Sequence, residues 1–217
     1  VTAASQGART LVIEKLPLLG GTTGKSGGVA WVPNNHLLRA RGDRDPREDA
    51  LRYMVRLAFP QQFDPESPTL GIPGLQYRLL EAFYDNGSRA VKHLEHAGVL
   101  KFQEFRLFFV DRQAPDYADH LPENRMPRGG VLEPAVGAGA ASGGNSLAAR
   151  IEDWLRAKNV PILAETRVTG VVRQNGRVTG VLAKDAGGRT LRIRARKGVV
   201  FGTGGYAHNT ELVGLHQ

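Results

Sequence analysis

The sequence contains no cysteine among its 217 residues. This absence excludes a disulfide scaffold, a thiolate metal site and the reactive dithiol of disulfide-reducing enzymes. If the chain takes part in oxidation or reduction, a bound cofactor must therefore carry the electrons.

The sequence also lacks a long hydrophobic run. A helix that crosses a bilayer needs about 18 to 20 consecutive apolar residues, and no segment reaches that length, although 41% of the residues are hydrophobic. This composition is typical of a globular domain with a buried core. We expect a cytoplasmic protein with no integral membrane segment, and we leave peripheral attachment to a membrane open.

Acidic residues are fewer than basic ones, with 21 Asp and Glu against 29 Lys and Arg and a net charge of +8. Such an excess would suit nucleic acid. However, Arg192, Arg194 and Arg196 alternate with less polar residues, as on the solvent-facing side of a strand. No aromatic residues are interleaved with the basic ones, so a solvated surface is favoured over a nucleic-acid site.

Glycine is abundant, and residues 20–28 combine it with hydroxyl side chains. Such a segment can bring backbone N–H groups close to an anionic ligand. It follows a β-branched run that ends on Glu14. An acid in this place accepts hydrogen bonds from a nucleotide ribose, about 20 residues after a glycine-rich phosphate turn. Glu14 stands too near the first residue for that turn to precede it, so we expect a chain cut inside its first crossover helix.

Hydrophobic spacing and turn residues predict a mixed α/β chain. Asp45 is the expected N-cap of one helix, Asn86-Gly87 an expected break in the next and Gly98 its expected stop. Asn175-Gly176 predicts a type I′ hairpin turn at the centre of an antiparallel meander. The predicted helices are residues 1–6, 46–59, 75–97 and 146–158. The predicted strands are residues 9–13, 29–32, 102–110, 160–164, 166–173, 177–184, 189–195 and 198–202, and the last of these is expected to be a buried parallel strand. Residues 61–74 and 111–144 are predicted loops.

The chain has a set of short motifs at residues 12–15, 20–23, 26–28, 31–35 and 202–206. Together they resemble the FAD-binding domain of the fumarate reductase/3-ketosteroid dehydrogenase flavoprotein superfamily. The Trp-Val-Pro-Asn-Asn run at 31–35 favours the ketosteroid dehydrogenase branch. The resemblance implies a two-dinucleotide-binding, Rossmann-like FAD domain, with a parallel sheet, an antiparallel β-meander and its first strand missing.

The same resemblance implies that residues 1–217 are a partial FAD-binding domain. Residues 35–145 would be a helical and loop insertion near the substrate side, and a cap domain would follow residue 217. The flavin would be bound non-covalently, because residues 20–28 contain no histidine to which it could be attached. The implied cofactor-binding residues are Glu14, Lys15, Gly20, Gly21, Thr22, Thr23, Ser26, Gly27, Gly28, Val168, Thr203, Gly204 and Gly205.

Tyr117 is the implied catalytic residue, because ketosteroid dehydrogenases carry a tyrosine in a similar Pro-Asp-Tyr segment that faces the steroid and assists proton removal. Simpler interpretations stay open for several residues. Glu14 could be an ordinary acid at a strand end, Val168 a core valine, the segment 203–205 a tight turn, and Tyr117 a cover over apolar surface.

Other functions are less favoured. Residues 20–26 fall one residue short of a phosphate-binding Walker A motif, and we expect no helix to open there, as a P-loop requires. Residues 24–28 match G-x-S-x-G, but no helix follows directly, as it would after a catalytic serine. The glycines of 137–144 are expected to form a hinge. His93 and His96 have helical spacing for a metal, yet no third ligand is evident, so no metal is expected.

The implied function is an FAD-dependent oxidoreductase that acts on CH–CH bonds of a hydrophobic ketone such as a 3-ketosteroid, with hydride passing to flavin N5. A fumarate reductase or succinate dehydrogenase-like flavoprotein is one alternative, and an incomplete, non-catalytic chain is another. The electron acceptor is unknown. We expect the 217 residues alone to be inactive and to bind FAD poorly, because the phosphate turn and central strand would be absent.

Overall fold

The computed structural model describes residues 1–107, 112–113, 118, 120–124, 131–135, 143–206 and 209–216. The chain divides into two compact units. Unit 1 contains Val1–Arg9 and Thr23–Asn159, and unit 2 contains Thr10–Thr22 and Val160–Gln217.

Helices and strands are mixed along the chain, as the sequence predicts. In the described residues the helices are α1 (Thr2–Ser5), α2 (Gly21–Lys25), α3 (His36–Ala40), α4 (Arg47–Ala58), α5 (Gly74–His96), α6 (Gly144–Ala157) and α7 (Thr210–His216). The strands are β1 (Val12–Ile13), β2 (Ala30–Trp31), β3 (Phe102–Glu104), β4 (Arg106–Leu107), β5 (Arg112–Gln113), β6 (Val131–Pro134), β7 (Ile162–Leu163), β8 (Arg167–Gln174), β9 (Arg177–Lys184) and β10 (Thr190–Arg194).

The core of unit 1 lies between α4, α5 and the turns that join them. Its buried members are Leu51, Tyr53, Met54, Val55, Leu70, Ile72 and Ala118. Trp31 stacks on Tyr53 with ring centroids 5.8 Å apart and on Phe83 at 6.2 Å. These aromatic contacts join β2 to both helices, which adds packing energy beyond simple area burial.

The start of α4 differs by a residue from the prediction. Pro46 occupies the N-cap position and Arg47 begins the helix. The carboxylate of Asp45, the expected cap, accepts a hydrogen bond from the Asn34 backbone N–H at 3.0 Å. Asp45 therefore fixes the segment before α3, while Glu48 in the first turn of α4 suits the positive end of the helix dipole.

Helix α5 is continuous from Gly74 to His96, so the predicted break at Asn86-Gly87 is wrong. A Cβ added at Gly87 would lie 3.2 Å from Cγ1 of Val32. Glycine at this place permits a close helix contact instead of ending the helix. The predicted stop is confirmed, because Gly98 follows the C-cap residue with a φ of +75°.

A three-stranded antiparallel sheet of unit 1 has the order β2-β6-β3. The prediction of an uninterrupted loop over residues 111–144 is therefore wrong, because β6 is the central strand of this sheet and β5 pairs with β4. Leu132 in β6 is fully buried. Periodicity fails here because a central strand of four residues is too short to show alternation.

Unit 2 contains a parallel pair, in which Val12 of β1 is opposite Ile162 of β7, and an antiparallel meander with the order β10-β9-β8. The predicted hairpin is confirmed, since Asn175 and Gly176 have φ angles of +49° and +75°. The buried strand predicted at 198–202 is wrong. This segment pairs with no strand among the described residues, and Val200 is 96% exposed.

Among the residues that the structure describes, no helix is long and apolar enough to cross a membrane.

Candidate cofactor site

Glu14 stands at the carboxyl end of β1, where the sequence places it. Its backbone N–H donates to the Leu163 carbonyl at 2.9 Å, and its carbonyl accepts from the Thr166 N–H at 2.8 Å. The side chain is anchored as well, because Oε1 accepts a hydrogen bond from the Leu16 backbone N–H at 2.9 Å. A carboxylate has about four acceptor positions, so Glu14 keeps the capacity to bind hydroxyl groups. Lys15 beside it is exposed.

The first half of the glycine segment lies in unit 2, at the start of α2. Gly20 and Gly21 have φ angles of +109° and +48°, in the region that favours glycine. A Cβ added at Gly21 would meet no atom within 4 Å, and Thr22 is exposed. Backbone and hydroxyl groups here are therefore accessible to a ligand.

The segment does open a helix, contrary to our expectation, because Gly21–Lys25 forms α2. A P-loop places its Lys and Ser at the start of the following helix, around the phosphates. Here Lys25 is the last residue of a helix only five residues long, and Ser26 follows it. The segment therefore still differs from a P-loop that binds a nucleoside triphosphate. The reason is that its Lys and Ser lie at the end of the helix, and not that a helix is absent.

The second half of the segment lies in unit 1, where Ser26 stabilises the turn after α2. Its hydroxyl donates to the Thr23 carbonyl at 2.8 Å and accepts from the Gly28 N–H at 3.1 Å. The one hydroxyl proton is thus already engaged. Thr23 and Gly27 are exposed and remain as candidate ligand contacts.

Gly28 is buried against the start of α6. A Cβ on Gly28 would lie 2.3 Å from the carbonyl carbon of Gly143, and one on Gly144 would lie 1.8 Å from the Thr23 carbonyl oxygen. The Gly144 N–H donates to the Ser26 carbonyl at 3.0 Å. We call this contact of Gly28 with Gly143 and Gly144 the glycine seam.

The expectation of a hinge over residues 137–144 is wrong for its last two residues, which belong to the glycine seam. Gly143 and Gly144 are closely packed, and Gly144 is the first residue of α6. Residues 137–142 lie outside the described residues. The sequence signal for the seam is a glycine pair immediately before an amphipathic helix, matched by the pair at 27–28.

The second glycine cluster, residues 203–205 in unit 2, is exposed. Gly204 has a φ of +73°, and a Cβ at Gly204 or Gly205 would meet no atom within 4 Å. Val168 belongs to β8, an outer strand of the meander, and is half-buried opposite Ala183. Backbone at both places is therefore within reach of a ligand.

The predicted catalytic residue, Tyr117, lies outside the described residues. His93 is oriented towards Ser5, with its Nε2 3.1 Å from the serine hydroxyl. No group of three or more His, Asp or Glu in the described part of the chain could hold a metal ion.

The chemistry of these groups fits a dinucleotide. Unit 2 supplies a carboxylate at the carboxyl end of a parallel strand, which is where nucleotide riboses bind in α/β sheets. It also supplies two exposed stretches of glycine backbone, around Gly21 and Gly204, that no side chain of the described residues covers. In unit 1, Thr23 and Gly27 are small and exposed as well.

Comparisons with known proteins agree with this chemistry. A family model described as FAD binding domain matches residues 1–216. The 3-oxosteroid 1-dehydrogenase of Mycolicibacterium smegmatis is 27% identical over 98% of this chain and 45% of its own length. The chain thus spans a little under half the length of this curated relative.

Two solved structures share the fold. The 3-ketosteroid delta1-dehydrogenase from Sterolibacterium denitrificans, in complex with 1,4-androstadiene-3,17-dione, has a TM-score of 0.74 and 23% identity, over 98% of this chain and 46% of that one. An open conformation of a flavocytochrome c3 fumarate reductase has a TM-score of 0.69 and 19% identity, over 98% and 32%. The predicted α/β fold of an FAD domain is thereby confirmed.

Proposed function

Because this chain belongs to the FAD binding domain family and its cofactor is FAD, we propose that it forms the cofactor-binding part of an oxidoreductase that dehydrogenates a hydrophobic ketone. The bond oxidised is a C–C single bond next to the carbonyl, as in a 3-ketosteroid. When bound, FAD supplies an acceptor for hydride at flavin N5. The protein holds the cofactor, excludes water and removes the proton.

The observation that carries the proposal is the anchored carboxylate of Glu14. The Leu16 N–H fixes one oxygen at 2.9 Å, which holds the carboxylate at the strand end. Its remaining acceptor positions suit the two hydroxyls of the adenosine ribose. Lys15 beside Glu14 is proposed as a further cofactor contact.

The glycines and threonines take the rest of the cofactor. Gly20, Gly21 and Thr22, with Thr23, Gly27 and Gly28, are proposed along the pyrophosphate and ribityl chain. Ser26 holds the turn through its bonds to Thr23 and Gly28, so its contribution is to shape this segment. The Val168 backbone is proposed at the adenine edge, and Thr203, Gly204 and Gly205 near the flavin.

Two arguments support a ketosteroid over a dicarboxylate. The curated relatives that match nearly all of this chain include several 3-oxosteroid 1-dehydrogenases. In addition, the motif at 31–35 matches that branch, and the proposed proton acceptor Tyr117 belongs to a segment similar to theirs. The fold likeness to a fumarate reductase keeps dicarboxylate reduction as the second candidate.

The test uses the protein as its complete gene encodes it, reconstituted with FAD under anaerobic conditions. We expect a 3-ketosteroid to bleach the absorbance of the oxidised flavin, and a steroid without the 3-keto group to leave it unchanged. Reoxidation of the chemically reduced protein by fumarate, without bleaching by the ketosteroid, would select the second candidate. Failure to bind FAD at all would overturn the proposal.

A further inference from the structure

The turn that joins β7 to β8, residues 164–166, is hydrogen-bonded to the end of β1. We call it the β7–β8 turn. The Thr166 backbone N–H donates to the Glu14 carbonyl at 2.8 Å, and the Glu165 N–H donates to the Leu16 carbonyl at 3.1 Å. All these residues belong to unit 2. The turn therefore holds the backbone of β1 on both sides of Lys15.

Thr166 also stabilises the turn from within. Its side-chain hydroxyl donates to the Ala164 carbonyl at 2.9 Å, and the residue is buried. A carbonyl in such a place loses free energy if its donor is removed. Thr166 thus holds the turn through its side chain and Glu14 through its backbone.

Glu165 has a backbone conformation that is rare for its residue type. Its φ is +50°, in the left-handed region that residues with a side chain adopt at some cost in free energy. Such conformations persist only where the surrounding contacts determine them. The Glu165 side chain is exposed, so its backbone alone takes part in the β7–β8 turn.

The carboxylate of Glu14 depends on the same contacts. Its Oε1 accepts a hydrogen bond from the Leu16 N–H, and the carbonyl of Leu16 is in turn held by Glu165. On the other side, Thr166 leads directly into β8, in which Val168 is the second residue. The proposed ribose contact and the proposed adenine contact are therefore both linked to Thr166, the first by a hydrogen bond and the second by the chain.

We propose that Thr166 is a positioning residue for the adenosine half of FAD. It holds the backbone that carries the Glu14 carboxylate and fixes the start of β8 relative to it. Because its hydroxyl proton is engaged by Ala164, we assign Thr166 no ligand contact of its own. This inference rests on the proposed cofactor contacts of Glu14 and Val168.

The first test is the affinity for FAD of the complete protein, freed of cofactor and followed by flavin fluorescence. Thr166→Val removes the hydroxyl and keeps a similar shape. We expect its affinity to fall about fivefold, the equivalent of one neutral hydrogen bond. Thr166→Ser keeps the hydroxyl, so it should bind FAD within about twofold of the unmodified protein.

The second test separates positioning from a general loss of stability. Its probes are ADP and 2′-deoxy-ADP, which lacks one of the two ribose hydroxyls proposed to contact Glu14. By calorimetry, the unmodified protein should prefer ADP about fivefold, and Thr166→Val should lose most of this preference. A purely structural loss would weaken both ligands equally and leave the preference unchanged, which would overturn the inference.

The matched control is Thr179→Val in the meander of the same unit. The Thr179 hydroxyl also donates to a backbone carbonyl, that of Val172, at 3.4 Å. This variant should keep both the affinity for FAD and the preference for ADP. If Thr166→Val binds FAD as this control does, the inference is wrong, whereas the role of Glu14 is judged separately by Glu14→Gln.

Combining the two substitutions shows whether Thr166 acts through Glu14. In protein that already carries Glu14→Gln, adding Thr166→Val should lower the affinity for FAD by less than about twofold, because effects that share one contact are not additive. A further fivefold loss would mean that Thr166 acts independently and would refute its positioning role. If Glu14→Gln alone leaves the affinity unchanged, the proposed ribose contact fails and the inference fails with it.

Discussion

The three glycines of the glycine seam in unit 1 are in contact with other backbone, whereas those at 203–205 in unit 2 are exposed. In the glycine seam, a Cβ on Gly144 would come within 1.8 Å of a carbonyl oxygen. At Gly205 a Cβ would meet nothing within 4 Å. Glycine thus serves two purposes, close packing of backbone in the glycine seam and access to backbone at residues 203–205. Substitutions at a packed glycine and at an exposed one should therefore have different effects on stability.

Gly144→Ala should have the largest effect. Either α6 or the turn at Ser26 must move to admit the methyl group, which we expect to lower the free energy of unfolding by about 3 kcal/mol. Gly205→Ala, the control in unit 2, should change it by less than about 1 kcal/mol. Urea unfolding followed by far-ultraviolet circular dichroism measures both. Similar losses in the two variants would refute the distinction between packed and exposed glycines.

Two asparagines extend the comparison to side chains. Asn35 in unit 1 is fully buried, its Oδ1 accepts from the Leu37 and Leu38 N–H groups, and its amide donates to the Val32 carbonyl. Asn35→Ala should therefore cost about 2 kcal/mol of unfolding free energy. Asn175 in unit 2 adopts a φ of +49°, which the hairpin turn requires. Glycine adopts this φ readily, so Asn175→Gly should leave the free energy of unfolding almost unchanged. Thermal unfolding of both variants checks this, and a large loss at Asn175 would contradict it.

In unit 2, a substitution at the candidate cofactor site should weaken ligand binding without a comparable loss of protein stability. Glu14→Gln keeps an acceptor for the Leu16 N–H but weakens hydrogen bonds to ribose, so the affinity for FAD should fall about tenfold. Flavin fluorescence during titration of the complete protein, freed of cofactor, measures this. Glu165→Gln is the control, since Glu165 is an exposed acid of the same unit. Equal affinities for the two variants would remove Glu14 from the cofactor site.

The smallest effect is expected from two exposed ion pairs, one in each unit. The hydrogen bond from Arg47 lowers the pKa of Asp85, and the backbone N–H of Arg189 is the main cause of the lowered pKa of Asp185. A carboxyl with a lowered pKa stabilises the fold above its unfolded pKa, about 3.9, and the effect is lost as the pH falls through the lower, folded value.

Asp85→Asn and Asp185→Asn should therefore melt slightly below the unmodified protein at neutral pH, and the difference should vanish in acid. High salt should reduce the difference as well, because exposed pairs are screened. A difference that grows as the pH falls would have the wrong sign for either pair.

Much of the fold could be predicted because its signals are local. The Asn175-Gly176 turn needs only two residues, and Gly98 ends α5 through its own φ. The strand expected at 198–202 failed because burial requires neighbouring strands, which an apolar run does not specify. Similarly, Gly87 was taken as a break because its contact with Val32, 55 positions earlier in the chain, is invisible to local spacing.

In the candidate site, too, local features could be predicted and long-range contacts could not. The place of Glu14 at a strand end follows from its position after a β-branched run. The role of Ser26 could not be predicted in this way, because a serine hydroxyl can either stabilise a turn or contact a ligand. Its hydrogen bonds to Thr23 and Gly28, which stabilise the turn, are visible only in the structure. The packing of Gly143 and Gly144 depends on residues more than a hundred positions earlier, so the sequence suggested a hinge instead.

The two tryptophans have an experimental consequence. Trp31 stacks on Tyr53, and the indole N–H of Trp154 donates to the Ala97 carbonyl at 2.8 Å. They are the only tryptophans in the sequence, and both belong to unit 1. Tryptophan fluorescence therefore reports on the unfolding of unit 1 alone, and it would not detect unfolding that is confined to the meander of unit 2. A tryptophan introduced at exposed Val171 would give unit 2 a probe of its own.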